Sequence, residues 1–161
     1  MVKRFILLSI QFTLIMTVLN CKKSSRYPSD FQFRIDATTS SYNSGTQEFT
    51  RSYIKGDTTI SVPLSKVELQ LTYDLAHEMR FLNFPREFES AKYGEFTDPS
   101  FITTIEISYD GENKKCSVDS GSLKIELDRP KKFRELADTM LKILFAKDQV
   151  RNLGKSDIIF L

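Results

Sequence analysis

Polar and apolar positions alternate strictly over residues 30–36, D-F-Q-F-R-I-D, which puts Phe31, Phe33 and Ile35 on one face and Gln32 and Arg34 on the other. A two-residue period marks a strand with one buried side. The period returns over residues 47–54, where Phe49, Arg51 and Tyr53 alternate with Thr50, Ser52 and Ile54. Residues 58–62, T-T-I-S-V, are rich in β-branched side chains, which suit a pleated, half-buried surface. Asn43-Ser44-Gly45 and Lys55-Gly56-Asp57 are turn sequences between these runs, so residues 30–62 predict a three-stranded meander.

The period changes after Pro63. Ser65 and Glu68 match the S-x-x-E capping box, with Leu64 and Leu69 at the two staple positions. Leu71, Leu75, Met79 and Leu82 follow at helical spacing, predicting a helix that stops near Asn83 to Pro85. Residues 86–100 have no clear period and read as a long loop. Strand alternation resumes with Phe101, Thr103, Ile105, Ile107 and Tyr109; Asp110-Gly111 is a hairpin turn, and the return strand carries Lys114, Cys116 and Val118. A third strand is expected at Leu123, Ile125 and Leu127, after the turn Asp119-Ser120-Gly121. A second helix starts near Asp128 or Arg129, with Pro130 in its first turn and a stripe of Phe133, Leu136, Met140 and Leu144. The tail 156–161 is a candidate for a short final strand or for packing on the sheet. The order is βββαβββα, which predicts an α+β fold: an antiparallel sheet of about six strands with both helices on one face.

Residues 1–20 belong to another pattern. Lys3 and Arg4 precede an apolar run, Phe5 to Leu19, broken by Ser9, Gln11, Thr13 and Thr17. A membrane span needs roughly 20 apolar residues, so this run is short for a permanent helix and reads as a secretory signal. Its last residues, Val18-Leu19-Asn20-Cys21, resemble a bacterial lipobox, in the loosened form of Bacteroidetes or spirochaete lipoproteins. The resemblance implies that Cys21 becomes the first mature residue and that its sulfur carries diacylglycerol. Two or more acyl chains give stable anchoring where one binds reversibly. The expected organisation is a signal peptide at 1–20, a polar tether at 21–29 and one α+β domain at 30–161. The expected location is a bacterial membrane, with the domain facing the periplasm or the cell surface.

Charge narrows the partners. The chain has 23 Lys and Arg against 21 Asp and Glu, and the signal holds two of the bases, Lys3 and Arg4, and no acid. The remaining chain is therefore balanced, which offers no electrostatic case for nucleic acid. Lys22, Lys23 and Arg26 cluster beside the anchor and read as a solvated linker with room for headgroup contacts. With Cys21 acylated, Cys116 is the one remaining cysteine, so packing alone has to hold the fold. The expected partners are membrane lipid through Cys21 and an envelope protein, with the chain itself a monomer.

Candidate chemistry is sparse. His77 is the only histidine and lies mid-helix; Gly-x-Ser-x-Gly and His-Glu-x-x-His are absent, so neither a catalytic triad nor a metal centre is expected. Six scattered glycines form no phosphate-cradling loop, and no cofactor is expected. A tight turn at Asp110 puts Cys116 on the face of Ile105 and Ile107, where a thiol behaves as a small inert hydrophobe. The carboxylates Glu87, Glu89, Glu95 and Asp98 crowd the long loop, in no EF-hand spacing. The same loop holds Phe88, Tyr93 and Phe96, expected either to dock beneath it or to form a recognition patch.

With its meander and helix ahead of a loop carrying Thr97-Asp98-Pro99, the chain also resembles small uncharacterised domains of bacterial lipoproteins. That resemblance brings no catalytic residues with it. The leading expectation is a non-enzymatic, lipid-anchored binding protein. Its rivals are a periplasmic immunity or inhibitor lipoprotein and a carboxylate-based hydrolase of cell-wall or glycan material.

Overall fold

The computed structural model describes residues 26–88, 101–119 and 128–159. The fold is α+β. A sheet of seven strands is built from β1 (Gln32–Ala37), β2 (Ser40–Asn43), β3 (Glu48–Arg51), β4 (Thr58–Ser61), β5 (Glu87–Phe88), β6 (Ile102–Tyr109) and β7 (Glu112–Asp119). The helices are α1 (Lys66–Glu78), α2 (Asp128–Phe145) and the short α3 (Asp148–Asn152). Strand order is β4-β3-β2-β1-β6-β7-β5. All neighbours are antiparallel except β5, which runs parallel to β7.

Register follows the alternation in the sequence. Phe33 faces Ile107 and Ile35 faces Ile105 across the β1–β6 seam, while Ile35 faces Tyr42 and Ile105 faces Cys116 to either side. All these side chains are buried and form one core with Phe133, Leu136, Met140 and Leu144 of α2, so the expected α2 stripe is the buried one. Asp110 and Gly111 both have positive φ, 52° and 74°, the geometry that a two-residue primed hairpin turn requires. Tyr42 is fully buried, and its hydroxyl donates to the Val62 carbonyl at 2.9 Å. Burial pushes that phenol up to about 12.

The capping box forms as expected. The Ser65 amide donates to Glu68 Oε2 at 2.7 Å, and the Glu68 amide donates to Ser65 Oγ at 3.3 Å. Lys147, at the corner between α2 and α3, adds an ion pair to the same carboxylate at 2.7 Å. Burial pushes the Glu68 carboxyl up, but the bonds from Lys147 and Ser65 outweigh it and hold the group below the usual glutamate range.

Several expectations need correction. The meander has four strands: β2, in the hydroxyl-rich stretch Ser40–Asn43, stands where no strand was expected. Of the stripe assigned to α1, Met79 is buried and Leu75 and Leu82 pack against the core, but Leu71 is 50% exposed, and Thr72, Tyr73 and Ala76 are buried beside them. Thr72 is accommodated because its hydroxyl donates to the Glu68 carbonyl one turn back. The helix also stops earlier than Asn83: Arg80 adopts a left-handed conformation, φ 54°, and a 3-10 turn then points Phe81 and Phe84 into the core. The start of the expected loop forms a strand, β5. The tail takes the second of its two expected forms: after α3 its described residues form no strand and pack at the sheet end, where Ser156 Oγ donates to the Ser52 carbonyl at 2.7 Å. The strand expected at Leu123 to Leu127, the rest of the loop at 89–100 and the anchor at Cys21 lie outside the described residues.

Cys116 is fully buried, and burial lifts its thiol to about 12. It should therefore label slowly with an exposed-thiol reagent in the native protein and rapidly in denaturant. Fast native labelling would contradict the assigned face.

Candidate functional site

The two faces of the sheet differ completely. One face carries the core; the other carries Gln32, Arg34 and Asp36 of β1, with their cross-strand neighbours, and none of its side chains is buried. This is the outward half of the same alternation that made the core, so on the central strands the outward residues are fixed by the buried residues between them.

Cross-strand register arranges the outward residues in rows. One row runs Lys115, Glu106, Arg34, Asn43, Glu48, Ser61 across six strands. Its charges alternate in sign from β7 to β1. The adjacent row runs Ser117, Thr104, Asp36, Ser41, Thr50, Thr59 and is almost entirely hydroxyl. Neighbours within the rows bond to one another: Thr104 to Ser117 at 2.9 Å, and Thr50 to Thr59 at 2.8 Å. Asn113 donates to Glu106 Oε1 at 2.9 Å and to Ser108 Oγ at 2.7 Å. Arg34 and Asp36 pair at 3.0 Å on the same strand, and the hydrogen bonds that the guanidinium donates to the Asp36 carboxylate raise the arginine pKa further. Toward β7, a depression of about 480 Å³ is lined by Arg86, Glu106, Asn113, Lys115 and Ser117.

Strands about 4.8 Å apart make six of them roughly 25 Å wide, and six residues span about 20 Å. That is at most about 500 Å², the larger part of one side of a standard protein interface, about 800 Å² per partner. The face is rigid because its main chain is paired in ladders. It offers hydroxyls, amides and carboxylates in fixed rows, a surface suited to directional hydrogen bonding.

The residues singled out in the sequence fall elsewhere. Phe88 is 2% exposed, its ring edge-on to Phe84 at 5.8 Å and to Phe133 at 6.2 Å, so it is docked in the core. Tyr93 and Phe96 lie outside the described residues, as do Glu89, Glu95 and Asp98. Glu87 is exposed on the edge strand β5. His77 is exposed on α1, with its ring against Tyr73 at 5.6 Å. Among the described residues, no group of three or more His, Cys, Asp or Glu is placed to hold a metal ion, and no helix is long and apolar enough to cross a membrane. The charged row was legible only as outward strand positions; its order came from pairing between strands distant in sequence.

Comparison with known proteins finds no matching family model and no matching curated protein.

Proposed function

We propose that this chain is a lipid-anchored, extracytoplasmic binding protein with no catalytic activity of its own. Cys21 holds it to the membrane, and the polar face of the sheet engages an envelope protein. The observation that carries this reading is the pair of outward rows, one of alternating charge and one of hydroxyls, uncovered among the described residues and held rigid by the sheet. The signal pattern ending at Cys21 supports the anchor. A partner for these rows presents complementary alternating charge, because a like-charge juxtaposition costs several kcal/mol. An immunity or inhibitor role is the same reading with a toxin as the partner.

The test has two arms. Labelling cells with a clickable palmitate analogue should mark the wild type and leave Cys21→Ala unmarked; equal labelling overturns the anchor. A photo-crosslinking residue at Ser41, on the outward face, should capture a discrete partner, and the Arg34→Glu/Lys115→Glu pair should abolish the adduct. The same crosslinker at Lys132, on α2, should capture none. Equal adducts from both sites, or none from Ser41, overturn the assignment of the face.

A further inference from the structure

On the inward side of the sheet lies a buried positive charge with no carboxylate partner among the described residues. Arg51 ends β3 on the inward face and is only 9% exposed. Its guanidinium lies over the rings of Phe49, at 5.2 Å, and Phe145, at 5.5 Å. Nη1 donates to the carbonyl oxygens of Val150, at 3.3 Å, and of Gly154. Ion pairs among the described residues join Arg34 to Asp36, Lys147 to Glu68 and Arg151 to Asp148; none involves Arg51. A guanidinium has five N–H donors, and these two bonds leave Nε and Nη2 unused. Among the described residues no fully buried side-chain nitrogen or oxygen lacks a partner, so the unused donors reach solvent.

The space they reach is a cavity of about 580 Å³ that Arg51 lines. That volume is in the range of small-molecule sites, about 300–1,000 Å³. Its described lining includes two further cations, Lys155 and Arg151, the latter paired with Asp148, and no acidic residue. Phe145, Val150 and Ile158 add apolar surface to the same lining, with the Phe145 ring directly against the Arg51 guanidinium. Ser40, the cross-strand neighbour of Arg51, is small and leaves the space open. Aromatic faces compensate a desolvated cation in part; a charge buried without a counter-ion still favours an anion strongly.

We propose that this cavity binds a small organic carboxylate with an apolar body. The free Nε and Nη2 edge of Arg51 forms a planar fork that matches the two oxygens of a carboxylate. Lys155 supplies long-range attraction at the mouth, and the apolar wall receives the carbon chain. The strand direction places the site away from the tether. β1 leaves the tether side at Gln32 and runs to Ala37, beside the turn where Thr39 and Ser40 line the cavity.

Calorimetric titration of the full chain in zwitterionic nanodiscs tests the proposal, with hexanoate, hexanol and inorganic phosphate as probes. Hexanoate should saturate a single site, while hexanol and phosphate bind far more weakly. Lys155→Glu reverses an exposed charge and should weaken hexanoate about tenfold without changing the melting temperature. Arg51→Lys keeps the charge and loses the fork, and should weaken hexanoate about tenfold or more. Hexanol binding as well as hexanoate reduces the cavity to an apolar hole, and phosphate binding equally well reduces it to a cationic patch; either overturns the proposal. So does an absence of saturable hexanoate binding, or full affinity in Lys155→Glu.

Discussion

Phe88→Ala is expected to lower stability by about 3–5 kcal/mol. The ring is 2% exposed and sits edge-on between Phe84 and Phe133, so its removal leaves a cavity walled by two other rings. Those rings are held by the 3-10 turn and by α2, neither of which can collapse inward without losing its own contacts. For a domain of this size the loss corresponds to about 10–20 °C in melting temperature. Leu71→Ala is the control. Leu71 was assigned to the same core from its spacing, yet it is half exposed and should change stability by at most about 0.5 kcal/mol. Equal effects of the two substitutions would refute the burial pattern. A near-wild-type melting temperature for Phe88→Ala, combined with lost partner capture, would make Phe88 a recognition residue after all.

Phe49→Ala should cost a similar amount, about 3–5 kcal/mol. Phe49 is fully buried, pairs across the sheet with Tyr42 and Ile60, and carries the Arg51 guanidinium on its face. Phe145 contacts the same guanidinium but is 42% exposed, so Phe145→Ala should cost less than half as much. Urea denaturation midpoints measure both. Phe49 and Arg51 share one environment, and the double variant with Arg51→Met should therefore fall short of the sum of the single losses. Strict additivity would mean that ring and guanidinium do not act together.

Legibility in the sequence followed local chemistry. The capping box, the hairpin turn at Asp110-Gly111, the α2 stripe and the inward side of β1 and β6 are each set by residues within a few positions of one another, and each forms as expected. β2 was hidden because its inward residues are Ser40 and Tyr42, one of them small and polar, so its alternation carries little hydrophobic contrast. The α1 stripe misled at Leu71, where helical spacing outweighed the neighbouring Thr72, whose hydroxyl is satisfied within the helix and so tolerates full burial. β5 has two residues and exists only through its pairing with β7. Arg51 stood out in the sequence only as a polar residue on an inward position. Its main-chain partners lie about a hundred residues further on, beyond any local pattern.

The seam between β1 and β6 has a kinetic consequence. The four-strand meander and the β6–β7 hairpin each close by tight turns, so each can form early from local contacts. The seam pairs Gln32 with Ser108 and Ile35 with Ile105, so it has to wait until the chain between them, helix α1 included, has been gathered in. Closing so long a loop before its contacts form is the slow class of event in folding. Until it happens, β1 and β6 are two unpaired edges whose inward sides carry Phe33, Ile35, Ile105 and Ile107. Such edges invite pairing with other copies of the chain. The central contact of the finished sheet is thus the last joint of its assembly, and the interval before it closes is when aggregation competes with folding.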